Sequence, residues 1–264
     1  MASTAAFFAR HGYVATSVAY FGLPGLPRYL VNIPVETIHP AIEALVRRGD
    51  VDPRRIGILG GSKGGEFALL VASTYPQIHA VVADVPSPFG WMGLGAGDEP
   101  SGCSWSRHGK PLPCVPPSAR ANRELGTEYM LHLPVVLRKL YNASMRAHPD
   151  AVRAAFFPLQ RIAGPVLCLS GTDDQMWDSR KQCAMAMDYL HQHKHPYADR
   201  AISYADAGHA FLWARFMPPR ETTSYRVGGV TMKLGGTPQG NTAASMAGWK
   251  TIFAFLQRAL GAQR

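Results

Sequence analysis

An α/β fold built on a mostly parallel sheet is what this sequence predicts, and three features predict it. A short apolar run at 56–59 leads at once into Gly60-Gly61-Ser62-Lys63-Gly64 and then into 66–73, whose apolar residues share one face: strand, sharp turn, helix. A second apolar run, HAVVADV at 79–85, follows that helix, and a third, PVLCLSG at 165–171, precedes another helical stretch. Strands alternating with helices imply parallel pairing through right-handed crossovers, with helices on both faces of the sheet.

Taken in order, 3–11 reads as a helix with Ser3 as N-cap and Gly12 as its stop. VATSVAY at 14–20 reads as a buried strand, and FGLPGLPRYLVNIP as a Pro/Gly loop. A helix over 35–48 carries Ile38, Ala41, Ile42, Leu45 and Val46 at helical spacing and ends at Gly49-Asp50. From 86 to about 158 the rhythm changes: Pro, Gly and polar residues crowd 86–117, and a helix-like region spans 120–157. This reads as an insertion over the sheet's C-terminal edge, a lid or substrate-binding cap within one domain spanning 1–264. Trp91, Trp105 and Arg107 either line a pocket there or pack the loop. The sheet resumes at 165–171, a helix covers 179–193, a last strand 200–204, and a closing helix 242–260.

At 264 residues with 47% hydrophobic and 17% charged residues, the chain fits one core of the larger kind. No apolar run reaches about 18 residues and no basic-then-apolar leader precedes the first helix, so neither a membrane span nor a signal peptide is expected. The net charge of +9 comes from scattered Lys and Arg without aromatic interleaving, which argues against nucleic acid. It serves either to attract an anionic substrate or for ordinary solubility. Cys103, Cys114, Cys168 and Cys183 show no metal-ligand spacing, and nothing calls for a metal or cofactor. Cys168 lies in an apolar strand and reads as a buried thiol. Cys103 and Cys114 flank one loop and could pair only in an oxidising compartment, so reduced thiols in a cytoplasmic protein are the expectation.

The pattern GxSxG between a strand and a helix is a nucleophile elbow: Gly60 and Gly64 leave room where backbone crowds backbone, and Ser62 is lifted to the strand's end. A serine hydroxyl needs a base, normally a histidine held by a carboxylate. In the α/β-hydrolase chain order both follow the serine, each in a loop after a strand. After PVLCLSG stand Asp173 and Asp174; the acid commonly lies three residues beyond the strand-ending glycine, which selects Asp174 and leaves Asp173 to turn-making. After AISYADA stands Gly208-His209, and His209 is the candidate base. The Lys63 backbone amide is one oxyanion donor, its side chain expected in solvent. The other donor normally comes from a loop between a strand and the first helix. No such strand or loop precedes Ala5, so the fold's N-terminal strands are expected to be missing.

GILGGSKGGEFALLVAS resembles the elbow of the acyl-CoA thioester hydrolase and bile-acid-CoA:amino-acid N-acyltransferase family, where Ser/Cys-Lys-Gly-Gly/Ala-Glu recurs. AYFGLPGLPRYLVNIPVE, SGTDDQMWDSRK, YADAGHAF and LGGTPQGNTAASMAGWKTIFAFLQ are similar too, so the likeness covers nearly the whole chain. The resemblance implies an α/β-hydrolase catalytic domain of bacterial type and puts nucleophile, acid and base on Ser62, Asp174 and His209. It also implies an N-terminal β-sandwich in mammalian members that is not found here. Members that transfer acyl groups to glycine or taurine typically use Cys, so Ser62 favours water as acceptor. The expected function is hydrolysis of acyl-CoA thioesters, a small-molecule substrate. The other readings are a carboxylesterase or peptidase-like hydrolase with the same triad, and a non-catalytic fragment of the fold.

Overall fold

Each strand of the main sheet sends alternate side chains into two helical layers, a period of two that lets a parallel sheet be covered on both faces. The computed structural model of the chain describes residues 2–95 and 102–261, with backbone alone at Ala2 and Ser3. Its elements are α1 (Ala2–Ala9), β1 (Ile33–Pro34), α2 (His39–Val46), β2 (Gly57–Gly61), α3 (Lys63–Thr74), β3 (Ala80–Asp84), β4 (Trp105–Arg107) and β5 (Lys110–Pro111). There follow α4 (Ala119–Met130), α5 (Leu137–Ala147), α6 (Pro149–Ala155), β6 (Val166–Gly171), α7 (Ser179–Gln192) and β7 (Arg200–Tyr204), then β8 (Ser224–Val227), β9 (Val230–Lys233) and α8 (Pro238–Leu260).

The main sheet is parallel with order β2-β3-β6-β7. Val81, Ala83, Val166 and Cys168 face a core shared with Phe67 and Val71 of α3 and Ala186 and Leu190 of α7. Their neighbours Ala80, Val82, Leu167 and Leu169 face Trp249, Ile252 and Phe255 of α8 and Phe7 and Phe8 of α1. At about 1.5–3 kcal/mol for each large side chain buried, these two layers dominate stability. This is the α/β architecture the sequence predicts, with the elbow strand β2 at one edge.

Several boundaries differ from expectation for local reasons. The helix α8 begins at Pro238 rather than 242, because the Thr237 side chain caps it by accepting the Gly240 amide and Pro238 is preset for a first turn. The expected helix at 35–48 splits into a 3-10 turn at Val35–Ile38 and α2. The proposed Ser3 cap involves a side chain outside the described residues. The run at 14–20 is not a strand. An apolar run becomes one only beside a ladder partner; 14–20 lies outside every ladder of the described residues, with Val14 44% exposed, and packs Ala15 on one core and Val18 and Tyr20 on the other.

In 86–158, β4 pairs with β1 in parallel and with β5 antiparallel, so this segment is stitched to the loop before α2. Trp91 and Trp105 are both fully buried, while Arg107 is exposed. The sequence reading missed the β8–β9 hairpin, whose Gly228-Gly229 turn has φ of 56° and 79° at its two central residues, the left-handed pair a tight hairpin requires. Among the described residues no helix is long and apolar enough to cross a membrane.

Cys103 and Cys114 form a disulfide, against the expectation of reduced thiols. The ladders bring their Cα atoms to 5.5 Å, since Cys103 pairs with Met92 while the Val115 amide bonds to Gly90 O. Cys168 and Cys183 are free and buried. Unfolded, unreduced protein should therefore show two titratable thiols, and four after reduction. By chain entropy, replacing Cys103 and Cys114 with Ser should cost about 3 kcal/mol for a loop of this length, read from urea unfolding.

Candidate active site

Ser62 takes φ 57° and ψ −124° between β2 and α3, a left-handed φ that a side chain rarely adopts. A non-glycine residue holds such a conformation only where its surroundings over-determine it. Here the Ser62 amide donates to Asp84 O at 2.9 Å, and Ser62 O accepts the amides of Gly65 and Glu66 at 2.9 and 3.0 Å. A Cβ on Gly60 would overlap the Gly64 carbonyl, and one on Gly65 would press on Asp84 O at 2.9 Å. Gly64 itself is not crowded by backbone, so Gly60 and Gly65 are the glycines this turn needs.

Ser62 Oγ lies 2.7 Å from His209 Nε2. The other ring nitrogen, Nδ1, lies 2.9 and 3.0 Å from the two carboxylate oxygens of Asp174. With the proton on Nδ1, the imidazole donates to Asp174 and accepts from the Ser62 hydroxyl. His209 and Asp174 are buried. Asp174 Oδ1 also accepts the amides of Met176 and Trp177 at 3.0 and 3.3 Å. Asp173 stands apart from His209: its Oδ2 accepts the Gly236 amide at 2.8 Å, and it closes the turn onto Gln175. The amide of Lys63 is the first in α3 and has no carbonyl one turn back to bond to. Among the described residues no group of His, Cys, Asp and Glu could hold a metal ion.

Two sets of residues that sequence reasoning left without a role hold this line together. The stretch 234–241 clamps the acid and base loops. Leu234 O accepts the amides of His209 at 2.8 Å and Gln175 at 3.2 Å, and the buried Asn241 carboxamide accepts the Gly208 amide at 2.8 Å while donating to Thr222 Oγ1 at 2.9 Å. Trp177 sets its ring edge-on to His209 and donates Nε1–H to Val85 O at 2.9 Å. The phrase GGTPQGN was visible in sequence, but its contacts join parts of the chain far apart.

The other set surrounds Glu66, which is fully buried and accepts from the Trp105 indole at 2.6 Å, the Trp91 amide at 3.0 Å and Lys63 Nζ at 2.8 Å. The Lys63 side chain is therefore buried, not in solvent, and burial pushes its ammonium below the ordinary lysine range. The chain rule that failed was that lysine points outward; an acid three residues on was the signal that could have reversed it.

Asp84, at the end of β3 beside the elbow, is a third buried carboxyl, and its Oδ1 has no hydrogen-bond partner. Burial first, and the charge of Asp174 second, push it well above the usual carboxylate range. Folding thus favours the protonated acid.

The family model described as BAAT / acyl-CoA thioester hydrolase C terminal matches residues 33–97 and 106–262. Among curated proteins the chain is 25% identical to acyl-coenzyme A thioesterase 6 of Mus musculus, covering 98% of this chain and 57% of that one. It is 24% identical to the peroxisomal succinyl-coenzyme A thioesterase of Mus musculus and 25% to acyl-coenzyme A thioesterase 1 of Homo sapiens, each match covering 97% of this chain and 56% of the relative. The chain thus spans little more than half the length of these relatives. Among solved structures, a Mycobacterium tuberculosis puromycin-hydrolyzing peptidase superposes with a TM-score of 0.45 at 17% identity, over 87% of this chain and 25% of that one.

Removing one partner of a buried ion pair strands the other, so Glu66→Ala should lower the unfolding free energy by about 3–5 kcal/mol in a urea titration. For Asp84 the sign is opposite. The unfolded carboxyl ionises near pH 4 while the folded one keeps its proton, so wild-type stability is lost as pH rises above that value. The isosteric neutral Asp84→Asn should therefore become more stable than wild type by a margin that grows between pH 4 and 7, checked by urea midpoints across that range.

Proposed function

The chain belongs to the BAAT / acyl-CoA thioester hydrolase C-terminal family, and from that premise we propose that it hydrolyses acyl-CoA thioesters to the free acid and CoA through an acyl-serine intermediate. The observation that carries the reading is the line Ser62–His209–Asp174, with Oγ–Nε2 at 2.7 Å and Nδ1 within 3.0 Å of both Asp174 oxygens.

In the proposed reaction Ser62 Oγ attacks the thioester carbonyl as its proton passes to His209 Nε2. Asp174 keeps the imidazole in the required tautomer and stabilises its charged form, and the Lys63 amide donates to the carbonyl oxygen as it becomes an oxyanion. The CoA thiolate leaves, taking up the proton from His209, and water repeats the sequence on the acyl-serine with His209 as base. A thioester suits a site of this kind, because thiolate leaves without strong acid assistance. The relatives' names, all acyl-CoA thioesterases, support the substrate class. The cap role of 86–158 belongs to the same proposal: its helices α5 and α6 lie beside the acid loop, where the Arg138 guanidinium donates to Asp174 O at 3.1 Å.

Steady-state assays with palmitoyl-CoA, short acyl-CoA esters and p-nitrophenyl esters should show a clear preference for CoA thioesters; equal or better turnover of the simple esters refutes the substrate class. Ser62→Ala should cut kcat by about 10⁶-fold and Asp174→Asn by about 10⁴-fold. Asp173→Asn should cost far less, and equal losses in the two Asp variants would reject Asp174 as the acid.

A further inference from the structure

Stabilising a tetrahedral intermediate takes donors converging on one oxygen, and the Lys63 amide is a single donor. We propose that the phenolic hydroxyl of Tyr20 is its partner, so that Tyr20 O–H and Lys63 N–H together bind the oxyanion formed on the substrate. This rests on the acyl-serine reading above and adds a catalytic residue to it.

The placement comes from the contacts of one side chain along one helix face. The Tyr20 ring packs on Phe67 at 4.9 Å between centroids and against Trp105 at 5.9 Å. Its hydroxyl oxygen lies 3.6 Å from the point a Cβ on Gly64 would occupy. Gly64 precedes Phe67 by three residues, so it sits on the same face of α3, one turn nearer the N-terminus. From ring to hydroxyl, Tyr20 therefore runs toward the elbow. Helical Cα–Cβ bonds tilt toward the N-terminus, so the Gly64 contact lies on the side from which the first amides of α3 emerge. A glycine there leaves hydroxyl and amides facing the same space.

Availability and chemistry agree. Among the described residues the Tyr20 hydroxyl has no hydrogen-bond partner, so its proton is uncommitted. Burial, with the Glu66 charge adding to it, holds the phenol up to about 12, so it stays an O–H donor wherever His209 can act as a base. The ring is fixed in advance: Trp105 donates to Glu66 on one side of it, and Phe67 belongs to α3 itself. A donor that need not reorganise is what an oxyanion site requires.

In the step itself, the new bond forms between Ser62 Oγ and the carbonyl carbon, and the seryl proton moves to His209 Nε2. The carbonyl π pair moves onto oxygen, where it accepts hydrogen bonds from Tyr20 and Lys63. When that pair returns, the carbon–sulfur bond breaks and the thiolate leaves with the His209 proton. Tyr20 keeps its own proton throughout.

The test is Tyr20→Phe, which keeps the ring contacts and removes the donor. The expected result is a loss of about 10²–10³-fold in kcat and in the rate of fluorophosphonate labelling at Ser62, with KM and thermal midpoint unchanged. Affinity for an acyl trifluoromethyl ketone, which forms the same oxyanion on Ser62, should fall in parallel. Tyr20→Phe labelled and turned over as fast as wild type overturns the assignment. Should the variant fold poorly, trifluorotyrosine at position 20 keeps the test: activity should then disappear as the more acidic phenol ionises, and a pH profile identical to wild type overturns it. The two readings fail differently. Wild-type protein that is not labelled at Ser62 overturns both, whereas fast labelling of wild type, slow labelling of Tyr20→Phe and no thioester turnover supports Tyr20 and removes only the thioester substrate.

Discussion

The carboxylate of Glu66, sealed from water on α3, is the constraint on which the elbow depends. A buried carboxylate is costly unless its lone pairs are met, and its partners come from three places: Lys63 on the same turn, the Trp91 amide and the Trp105 indole. Satisfying one group therefore binds α3 to the strips around Trp91 and Trp105, which the Cys103–Cys114 bridge and the β1–β4 pairing hold in turn. Lys63 follows Ser62 directly, so burying its side chain also fixes the orientation of its amide. The elbow is held rigid by a polar core, not by the strand and turn alone.

A second clamp works on the opposite side. Asp174 and His209 sit on loops after two different strands, β6 and β7, and those loops bond to each other where the Asp173 amide donates to Ala207 O at 2.9 Å and the Asp206 amide to Thr172 Oγ1 at 3.0 Å. The stretch 234–241 reinforces that spacing, because one carbonyl, Leu234 O, accepts amides from both loops and Asn241 ties the second to Thr222. The β8–β9 hairpin leads straight into that stretch, which gives the hairpin a part in holding the Ser62–His209–Asp174 line. Trp177 links the acid loop to Val85, next to the elbow's own anchor Asp84. Ser62, Asp174 and His209 are thus referenced to each other through backbone bonds.

The residues in the line Ser62–His209–Asp174 could be named from sequence because each obeys a local rule: a glycine-flanked serine between strand and helix, an acid a fixed step beyond a strand end, a Gly-His pair after the last strand. The alternation of strands and helices was legible for the same reason, being a matter of period and of Gly and Pro. What could not be read depends on parts of the chain distant in sequence. Whether Lys63 is in solvent or in the core is decided by Trp91 and Trp105, some thirty to forty positions on; whether Cys103 meets Cys114 is decided by ladders to Met92 and Gly90. The run at 14–20 has a strand's composition without a ladder partner among the described residues, and composition cannot report that. Gly228-Gly229 was the exception, a local hairpin signal that was there to be used.

Donors at the carboxyl edge of the sheet are divided unequally between two acids. Asp84 lies close enough to Asp174 to feel its charge, which adds to burial in opposing ionisation of Asp84. Asp174 receives two backbone amides and an imidazole N–H; Asp84 has an oxygen with no donor at all. Burial therefore favours the protonated form of Asp84, the carboxyl with an oxygen left without a donor, while the donors are gathered on Asp174, the residue that faces His209. Had the donors been supplied to Asp84 instead, the oxygens they hold would lie beside the elbow, next to Gly61 and the first amides of α3, rather than against the His209 imidazole.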